Sequence, residues 1–424
     1  MFLVYNILLL IAFIFMLPVF LYRMFAMQKY RAGLTQRMGT LPEEICAGIK
    51  GKRPIWLHCV SVGESIAAVP LAKALKERHP DIPLVVTTVT DTGQRVVREK
   101  MPFADAVFYL PLDLPWVVSK VVGIIAPRVF VVVETEIWPN LFREMHHRNI
   151  PTVLVNGRIS DRSAGRYKAA SFFIGKVLKG VAAFGMQSQV DADRITAAGA
   201  EKERVQVTGN IKFDQPAAVM GKKEKESLRR ELGLEEGERL ILAGSTHEGE
   251  EAVVIDAFRR LKAFYPELVL LLAPRHPERL GRVEEVLREK NATFVRRTLA
   301  KGRQGEPVIL LDTMGELGRL YALCAVAFVG GSLVNVGGHN LLEPAVWGKP
   351  VVFGPHMHNF REISEKLLSA GGGRQVASGE ELERALEDLL VSGTKESMGV
   401  KGLKVVEENR GALQRTVEMV ERMM

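Results

Sequence analysis

The sequence has 424 residues and a formal net charge of +8, with 47% hydrophobic and 25% charged residues. These proportions exclude a disordered or collagen-like chain, and the length predicts two domains of ordinary size. The positive charge indicates an anionic partner: nucleic acid, anionic lipid or a phosphorylated substrate. Its three cysteines, Cys46, Cys59 and Cys324, contain no C-x-x-C pair, so neither a disulfide framework nor a zinc knuckle is indicated. This usage fits a reducing compartment.

The first predicted element is an apolar segment over residues 2–22, whose one strongly polar residue is Asn6. Its length matches a hydrocarbon core of about 30 Å, and no basic n-region or A-x-A cleavage site marks it as a cleaved signal peptide. The basic residues that follow it are Arg23, Lys29, Arg31 and Arg37. By the positive-inside rule we expect residues 1–24 to be a retained anchor helix with the remaining chain on the cytoplasmic side. A buried amphipathic or core helix is the alternative.

Continuous apolar runs follow the anchor and alternate with helical patterns. The runs are residues 55–60, 84–88, 107–110, 129–134, 152–156 and 182–187. Continuous runs of this kind are typical of parallel strands covered on both faces. We therefore predict a doubly wound α/β domain over residues 25–210.

Carboxylates follow two of these runs. Glu64 comes where the first run turns into a helical pattern, directly after Gly63. Glu134 and Glu136 follow the very apolar fourth run. Because an unpaired buried carboxylate costs several kcal/mol, a pair of them at a strand end indicates a polar cleft. A solvated loop with helix-capping acids is the alternative.

The second half repeats the alternation after a polar, lysine-rich stretch at residues 209–234, which is predicted to hold the linker between domains. Its apolar runs are residues 239–245, 268–274, 308–312, 326–332 and 350–354. They predict a second doubly wound α/β domain over residues 211–424. Ligands of open parallel sheets bind at the carboxyl ends of strands, so a cleft between two such domains is the expected site.

Several common site motifs are missing from the sequence. It contains no G-x-G-x-x-G, no G-x-x-x-x-G-K-[ST] and no H-E-x-x-H. The stretch "HMH" at residues 356–358 is too short to indicate a zinc site. A dinucleotide fingerprint, a P-loop and a metal centre are therefore not predicted.

Two stretches of the second half have features of an anion-binding site. Pro274 and Arg275 end one strand, where an arginine can hold a phosphate or a base. In "GGSLVNVGGHNLLEPA", glycine pairs allow the backbone to approach a ligand, and a helix follows Asn340. Glu343 in its first turn can accept two ribose hydroxyls. The alternative is structural: Asn340 caps that helix and Glu343 complements its dipole.

Six motifs between residues 58 and 345 resemble those of the 3-deoxy-D-manno-octulosonic acid (Kdo) transferases of lipopolysaccharide biosynthesis. They are "HCVSVGES", "ETEIWPN", "NGRIS", "GNIKFD", "APRHPER" and "GGHNLLEPA". The resemblance implies a GT-B fold, in which two Rossmann-like domains face a cleft. It also implies an inverting, metal-independent transfer from cytidine monophosphate–Kdo (CMP-Kdo) to a lipid A precursor such as lipid IVA, with no cofactor beyond the donor. The expected location is the inner membrane, with a single-pass anchor and an anionic lipid surface as a partner.

The same resemblance implies roles for individual residues. Glu64 would accept the proton of the acceptor hydroxyl, while Glu134 and Lys212 would stabilise the transition state. The residues that would hold the cytidine nucleotide are Pro274, Arg275, Met314, Gly315, Glu316, Asn340, Leu341, Leu342 and Glu343. The first domain would then bind the acceptor and the second the nucleotide. A helix-capping role remains the alternative for Glu64.

Three other functions are weighed against this one. Another GT-B enzyme, such as a different sugar transferase or a sugar-nucleotide epimerase, shares the fold, although an epimerase needs no anchor. A membrane-tethered binding protein would bind nucleotide without turnover. Nucleic-acid binding is not predicted, because no basic run with interleaved aromatic residues occurs and lipid phosphates account for the charge equally well.

Overall fold

The residues that the computed structural model describes are 1–26, 33–214, 219–391 and 394–424. The chain forms two units, each built on a parallel sheet of seven strands. The first unit comprises residues 1–214 and 410–424, and the second comprises residues 215–409.

The first unit contains a sheet with the strand order β3-β2-β1-β4-β5-β6-β7. Its strands are β1 (Ile55–His58), β2 (Leu84–Thr88), β3 (Ala106–Tyr109), β4 (Val129–Val133), β5 (Thr152–Gly157), β6 (Ala183–Met186) and β7 (Val205–Val207). Its helices are α1 (Phe2–Ala26), α2 (Leu34–Arg37), α3 (Glu43–Ile49), α4 (Val62–Arg78), α5 (Asp91–Lys100), α6 (Pro115–Ile125), α7 (Pro139–His147), α8 (Asp161–Ala169), α9 (Ser171–Leu178) and α10 (Gln189–Ala197).

The second unit contains a sheet with the strand order β10-β11-β9-β8-β12-β13-β14. Its strands are β8 (Arg239–Thr246), β9 (Leu268–Pro274), β10 (Phe294–Arg296), β11 (Val308–Leu310), β12 (Cys324–Val329), β13 (Val351–Phe353) and β14 (Gly373–Gln375). Its helices are α11 (Lys222–Glu231), α12 (Glu250–Phe264), α13 (Leu280–Glu289), α14 (Leu317–Leu320), α15 (Leu342–Ala345), α16 (Arg361–Ala370), α17 (Gly379–Val391) and α18 (Thr394–Glu408).

The predicted pair of parallel α/β sheets is confirmed. Every residue of β1, β2, β4 and β5 is buried, as expected for inner strands covered on both faces by helices. The sequence did not predict β7, β10 and β14. Each of them has three residues, lies at a sheet edge and is partly exposed, so none forms a continuous apolar run.

The strand order reverses once in each sheet. In the first sheet β1 pairs with β2 on one side and with β4 on the other. In the second sheet β8 pairs with β9 on one side and with β12 on the other. Loops leave in opposite directions at such a reversal, and the crevice at the carboxyl ends of these strands is where open α/β sheets bind ligands.

The end of the chain differs from the predicted domain boundary. Residues 410–424 belong to the first unit, although the sequence prediction assigned everything after residue 210 to the second domain. The last helix, α19 (Ala412–Glu421), buries Val420 in the core of the first unit. Asp214 holds the preceding turn by accepting a hydrogen bond of 2.6 Å from the Gly411 amide. The sequence pattern of α19 gives its amphipathic face but not the sheet it covers.

The first helix, α1, packs against the first unit through its amino-terminal end. The Tyr5 hydroxyl donates a hydrogen bond of 2.9 Å to Asp113 Oδ2, and Asn140 Nδ2 donates one of 2.7 Å to Asn6 Oδ1. The Tyr5 ring stacks on Phe173. Burial raises the pKa of Asp113 to about 6, although Asn140 and Tyr5 hydrogen bonds oppose the shift. These contacts hold one side of α1 against the rest of the first unit.

The other side of α1 exposes apolar side chains. They are Leu3, Val4, Ile7, Leu8, Leu10, Ile11, Phe13, Ile14 and Phe15. Among the residues that the structure describes, no helix is both long enough and apolar enough to cross a membrane. Of the basic residues predicted to flank the anchor, Lys29 and Arg31 lie outside the described part of the chain. The predicted span over residues 1–24 therefore stays a prediction.

Candidate active site

Glu64 lies in the first turn of α4, directly after β1, and only 7% of its surface is exposed. Its Oε2 accepts a hydrogen bond of 2.6 Å from the Val60 amide, and its Oε1 accepts one of 2.8 Å from Ser61 Oγ. Ser61 Oγ in turn accepts from the Glu64 amide at 3.4 Å. This arrangement is a close variant of the capping box, so the capping role considered from the sequence is present. A carboxylate has about four acceptor positions, and two of them remain for a ligand.

Glu134 follows β4 with a backbone φ of +62°, in the left-handed region that residues other than glycine rarely adopt. Its amide donates a hydrogen bond of 2.9 Å to the Val155 carbonyl, which fixes the turn. Burial raises the pKa of the Glu134 carboxyl, and the nearby Glu64 charge raises it further. The positive charges of Lys212 and Arg158 act in the opposite direction. The Glu134 carboxyl therefore lies among both kinds of charge.

Lys212 lies in a short 3-10 helix, Ile211–Phe213, that follows β7. A buried amide network holds this segment. Asn156 Oδ1 accepts from the Ile211 amide at 3.0 Å, and Asn210 Oδ1 accepts from the Lys212 amide at 3.0 Å. Gln187 joins the two by donating to the Asn156 carbonyl at 2.9 Å and accepting from Asn210 Nδ2 at 3.1 Å. The backbone carrying Lys212 is thus fixed by side chains from the ends of β5 and β6.

Glu136 is the third carboxyl of this group. Its pKa is raised to about 7, first by burial and then by the negative charges of Glu64 and Glu134. A carboxyl with a pKa near 7 is partly protonated at neutral pH. Glu136 can therefore release or accept a proton in the physiological range.

The charges of Glu64 and Lys212 both act on Glu134, so the three residues that the sequence prediction assigned to catalysis lie near one another. Glu64 follows β1 and Glu134 follows β4, the two strands between which the sheet order reverses. The charge of Lys212 acts on Glu134, so the third residue lies close to the pair. The arrangement offers a proton acceptor, a second carboxylate and a cation in one place. It can bind a polar ligand and take a proton from it.

In the second unit, Pro274 ends β9 and Arg275 is exposed directly after it. The Arg275 amide donates a hydrogen bond of 3.0 Å to the Thr246 carbonyl at the end of β8. Burial raises the pKa of Glu343, whereas the Arg275 charge and a hydrogen bond from Asn340 lower it. Arg275 and Glu343 therefore lie close to each other at the carboxyl edge of the second sheet, as a joint nucleotide site requires.

The predicted nucleotide loop at residues 314–316 has an exposed Met314, 73% accessible, and a Gly315 with φ of +85°. The Glu316 carboxylate is already paired. Its Oε2 accepts from Arg297 at 3.2 Å and from Arg319 at 3.0 Å, and its Oε1 accepts from the Thr313 hydroxyl. The exposed Met314 and the backbone of this loop, and not the Glu316 carboxylate, are open to a ligand.

The loop at residues 340–343 leads into α15, which is only four residues long. Asn340 Oδ1 accepts from the Leu342 amide at 3.1 Å, but Leu341 occupies the N-cap position, so Asn340 supports the turn into α15 without capping it. Leu341 and Leu342 have no exposed surface. Both residues belong to the core and present no surface to a nucleotide, so their predicted contact with it stays a prediction. One helical turn also has a smaller dipole than a longer helix.

Sequence reasoning missed Glu250, a fully buried carboxylate at the start of α12. Its Oε2 accepts from the His247 amide at 2.9 Å and from the Gly331 amide at 2.6 Å. Its Oε1 accepts from the amides of Ser332 and Leu333, both at 2.9 Å. Glu250 thereby joins the loops after β8 and β12, the two strands at the reversal of the second sheet. The sequence signal was an acid at the first helical position after "GSTHEG".

No group of three or more His, Cys, Asp or Glu side chains is placed to hold a metal ion within the described part of the chain. That includes the "HMH" stretch, where His358 is exposed and Met357 is buried.

Solved structures with similar folds extend over most of the chain. A glycosyltransferase from Rickettsia africae matches with a TM-score of 0.56 at 13% identity, covering 88% of this chain and 99% of that one. A UDP-GlcNAc 2-epimerase from Neisseria meningitidis matches with a TM-score of 0.55 at 12% identity, covering 87% and 99%. At these identities the likeness concerns the fold, which is GT-B-like.

Comparison of the amino-acid sequence identifies the family, which the similarity of fold alone does not. The family model described as 3-deoxy-D-manno-octulosonic-acid transferase (kdotransferase) matches residues 32–215. The 3-deoxy-D-manno-octulosonic acid transferase of Haemophilus influenzae is 40% identical over 398 residues, which are 92% of this chain and 91% of that protein. The predicted family is thus confirmed, and the chain belongs to the 3-deoxy-D-manno-octulosonic acid transferases, which are glycosyltransferases.

Proposed function

We propose that this enzyme transfers Kdo, with inversion, from CMP-Kdo to a lipid A precursor such as lipid IVA in lipopolysaccharide biosynthesis. Membership of the Kdo transferase family supports the transferred sugar. The observation that carries the proposal is the grouping of Glu64, Glu134 and Lys212 at the strand reversal of the first sheet. A direct displacement at a sugar carbon needs a base for the attacking hydroxyl and groups that balance charge in the transition state.

Glu64 is the base in this mechanism. Its two hydrogen bonds from the Val60 amide and Ser61 Oγ fix the carboxylate, because both donors belong to the turn that starts α4. The remaining acceptor positions take the proton of the acceptor hydroxyl as the new C–O bond forms. Gly63 beside it adds no side chain to obstruct the sugar, since a Cβ there would meet only Ser61 Oγ at 3.9 Å.

Glu134 and Lys212 balance charge during the transfer. The donor carbon develops positive charge as CMP departs, and the Glu134 carboxylate stabilises that charge. Lys212 offsets the negative charge that grows on the phosphate. The buried amide network around Asn156 and Asn210 holds the lysine backbone in place, so little reorganisation is needed when the charge develops.

The nucleotide is held by the second unit in this proposal. Arg275 binds the phosphate or the base, and Glu343 accepts hydrogen bonds from the ribose hydroxyls. Gly315 contributes a backbone contact, which agrees with the paired state of the Glu316 carboxylate. The buried Leu341 and Leu342 position Asn340 and Glu343 on either side of them.

The amino-terminal segment brings the enzyme to the cytoplasmic face of the inner membrane, where its lipid acceptor lies. The exposed apolar side of α1 supports this part of the proposal. The surplus of positive charge favours an anionic lipid surface, to which each nearby basic residue adds about 1 kcal/mol. Chemistry does not depend on the segment, because every proposed catalytic and nucleotide residue lies after residue 57.

The test follows nucleotide release by the full chain in detergent. CMP-Kdo and a tetraacylated lipid A precursor should give CMP only when both are present, whereas a UDP-sugar donor should give no UDP. Release of UDP instead would indicate a different GT-B enzyme. Binding of CMP-Kdo without any release in the presence of acceptor would indicate a binding protein and contradict the proposal.

A further inference from the structure

Three histidines from separate loops meet at the carboxyl edge of the second sheet. His247 follows β8, His276 follows β9, and His339 lies in the loop between β12 and α15. The His276 ring stands edge-on to that of His247, at 5.3 Å between centroids and 84° between planes. β8 and β12 are the strands between which the sheet order reverses, so the group lies where such sheets bind ligands.

His247 and His339 are joined by a hydrogen bond between ring nitrogens. Their Nε2 atoms are 2.8 Å apart. The ring planes differ by only 9° and the centroids are 5.1 Å apart, so the rings lie edge to edge in nearly one plane. A bond between two nitrogens requires one to donate and the other to accept, so a single proton lies between the rings.

This shared proton determines what the pair presents to a ligand. In the neutral pair, the ring that donates through Nε2 has a bare Nδ1, and the ring that accepts has an Nδ1–H. One N–H donor is therefore always available away from the shared bond. The pKa of His339 is lowered to about 4, first by burial and then by the positive charges of Arg275 and the neighbouring histidines. Burial also lowers the pKa of His247, although the Glu250 charge opposes the shift. Because both pKa values lie below the ordinary value of about 6.5, the pair is neutral at pH 7.

The charged groups around the pair come from several elements. Those acting on it are Arg275, His276, Arg279, Glu250 and Glu251. The two glutamates are already bound, Glu250 to four backbone amides and Glu251 to Arg279 at 2.9 Å. Arg275 is exposed beside the pair. Arg275 therefore adds an exposed positive charge beside His339, whereas the Glu250 charge acts on His247 in the opposite direction.

The backbone around the pair is held in place. Glu250 accepts hydrogen bonds from the amides of His247 and Gly331, which ties the two loops together. Gly331 has a φ of +66°, and a Cβ there would come within 2.9 Å of His339 Cδ2. A side chain at this position would push the ring away from its partner. The loops are thus built to keep the two rings in register.

We propose that the His247–His339 pair is the subsite for the phosphate of the donor nucleotide, and that its available N–H donates a hydrogen bond to the departing oxygen. This inference rests on the proposed function. As the bond between the anomeric carbon and the phosphate oxygen breaks, its electron pair stays on that oxygen, and the hydrogen bond stabilises the charge. The proton of the acceptor hydroxyl goes to Glu64, so the pair undergoes no net change of protonation.

Calorimetric titration with CMP and with cytidine, which lacks the phosphate, tests the subsite. His247→Phe and His339→Leu should each weaken CMP binding by about 10- to 100-fold, the loss expected for a hydrogen bond to a charged group. Cytidine affinity should not change, which also shows that the variant is folded. His147→Phe, an exposed histidine on α7, is the matched control and should leave both affinities at the parental values.

The proposal requires a loss of affinity for CMP, which carries the phosphate, and none for cytidine. If both variants weakened CMP and cytidine in equal proportion, or weakened neither, the subsite would be wrong while CMP release by the parent enzyme would still support Kdo transfer. Absence of release by the parent would instead reject the transfer itself. Nitrogen-15 NMR of the unaltered protein needs no variant: the N–H···N coupling identifies the pair, and its signals should shift with CMP but not with cytidine. Signals that respond to neither ligand would overturn the proposal.

Discussion

Replacing Glu64 by glutamine separates the chemistry of its carboxylate from its contribution to the start of α4. The glutamine carbonyl can still accept the hydrogen bond that the Val60 amide makes at 2.6 Å. Its amide nitrogen then faces Ser61 Oγ, which can accept where it formerly donated. Because both contacts can be kept, we expect a loss of stability below about 1 kcal/mol, the usual cost of a lost cap.

The effect on turnover should be much larger. An amide cannot accept the proton of the acceptor hydroxyl, and general-base catalysis contributes about 10²–10⁴-fold. We therefore expect kcat of Glu64→Gln to fall by at least about 100-fold. Affinity for CMP-Kdo should stay at the parental value, because the proposed nucleotide contacts belong to the second unit. Initial rates of CMP release and calorimetric affinity measure the two quantities.

Ser61→Ala is the matched control, since it removes the cap but keeps the carboxylate. It should cost about 1 kcal/mol of stability and lower kcat by less than about tenfold. Thermal unfolding measures the first value in both variants. If Glu64→Gln turned over at the parental rate, or if both variants lost activity in proportion to stability, Glu64 would be a capping acid only.

Four further changes test other parts of the proposed mechanism. Glu343→Ala and Arg275→Ala should each weaken CMP binding by about 1.5–3 kcal/mol in calorimetry, the range for hydrogen bonds to a charged group; unchanged affinity in both would remove these residues from the nucleotide site. Glu136→Gln should stabilise the first unit above neutral pH and have little effect at acidic pH. The folded pKa of about 7 lies above the ordinary 4.5, so the stability of the parent is lost as pH rises between these values; equal thermal shifts at both pH values would contradict this. Deleting residues 1–22 should lower membrane association, while activity in detergent stays within about tenfold of the parental value. A truncated protein that is folded but inactive would contradict this prediction.

The inner strands of both sheets could be predicted from the sequence because burial on two faces requires continuous apolar runs. β1 and β4 are such strands, and they also place Glu64 and Glu134 at one sheet edge. The edge strands β7, β10 and β14 could not be found in this way, since each is short and partly exposed. The return of α19 to the first unit depends on a long-range contact with Asp214, which no local pattern encodes.

The functional side chains also divide into those that the sequence predicted and those that it did not. The proposed catalytic and nucleotide residues were predicted from motifs of the family, and their grouping at sheet edges agrees with the positions of the strands. The Glu250 carboxylate and the His247–His339 bond were not predicted, because each joins segments about 80 to 90 residues apart in the chain. Such contacts follow from the strand order, which periodicity alone does not give.

The most direct test of the central claim is the mass of the lipid product. The full chain, CMP-Kdo and a tetraacylated lipid A precursor should yield a lipid heavier by one or more whole Kdo residues, with one CMP released for each sugar added. An acceptor of unchanged mass after CMP-Kdo is consumed, or a gain that matches another sugar, would contradict the assignment of Kdo transfer to this protein.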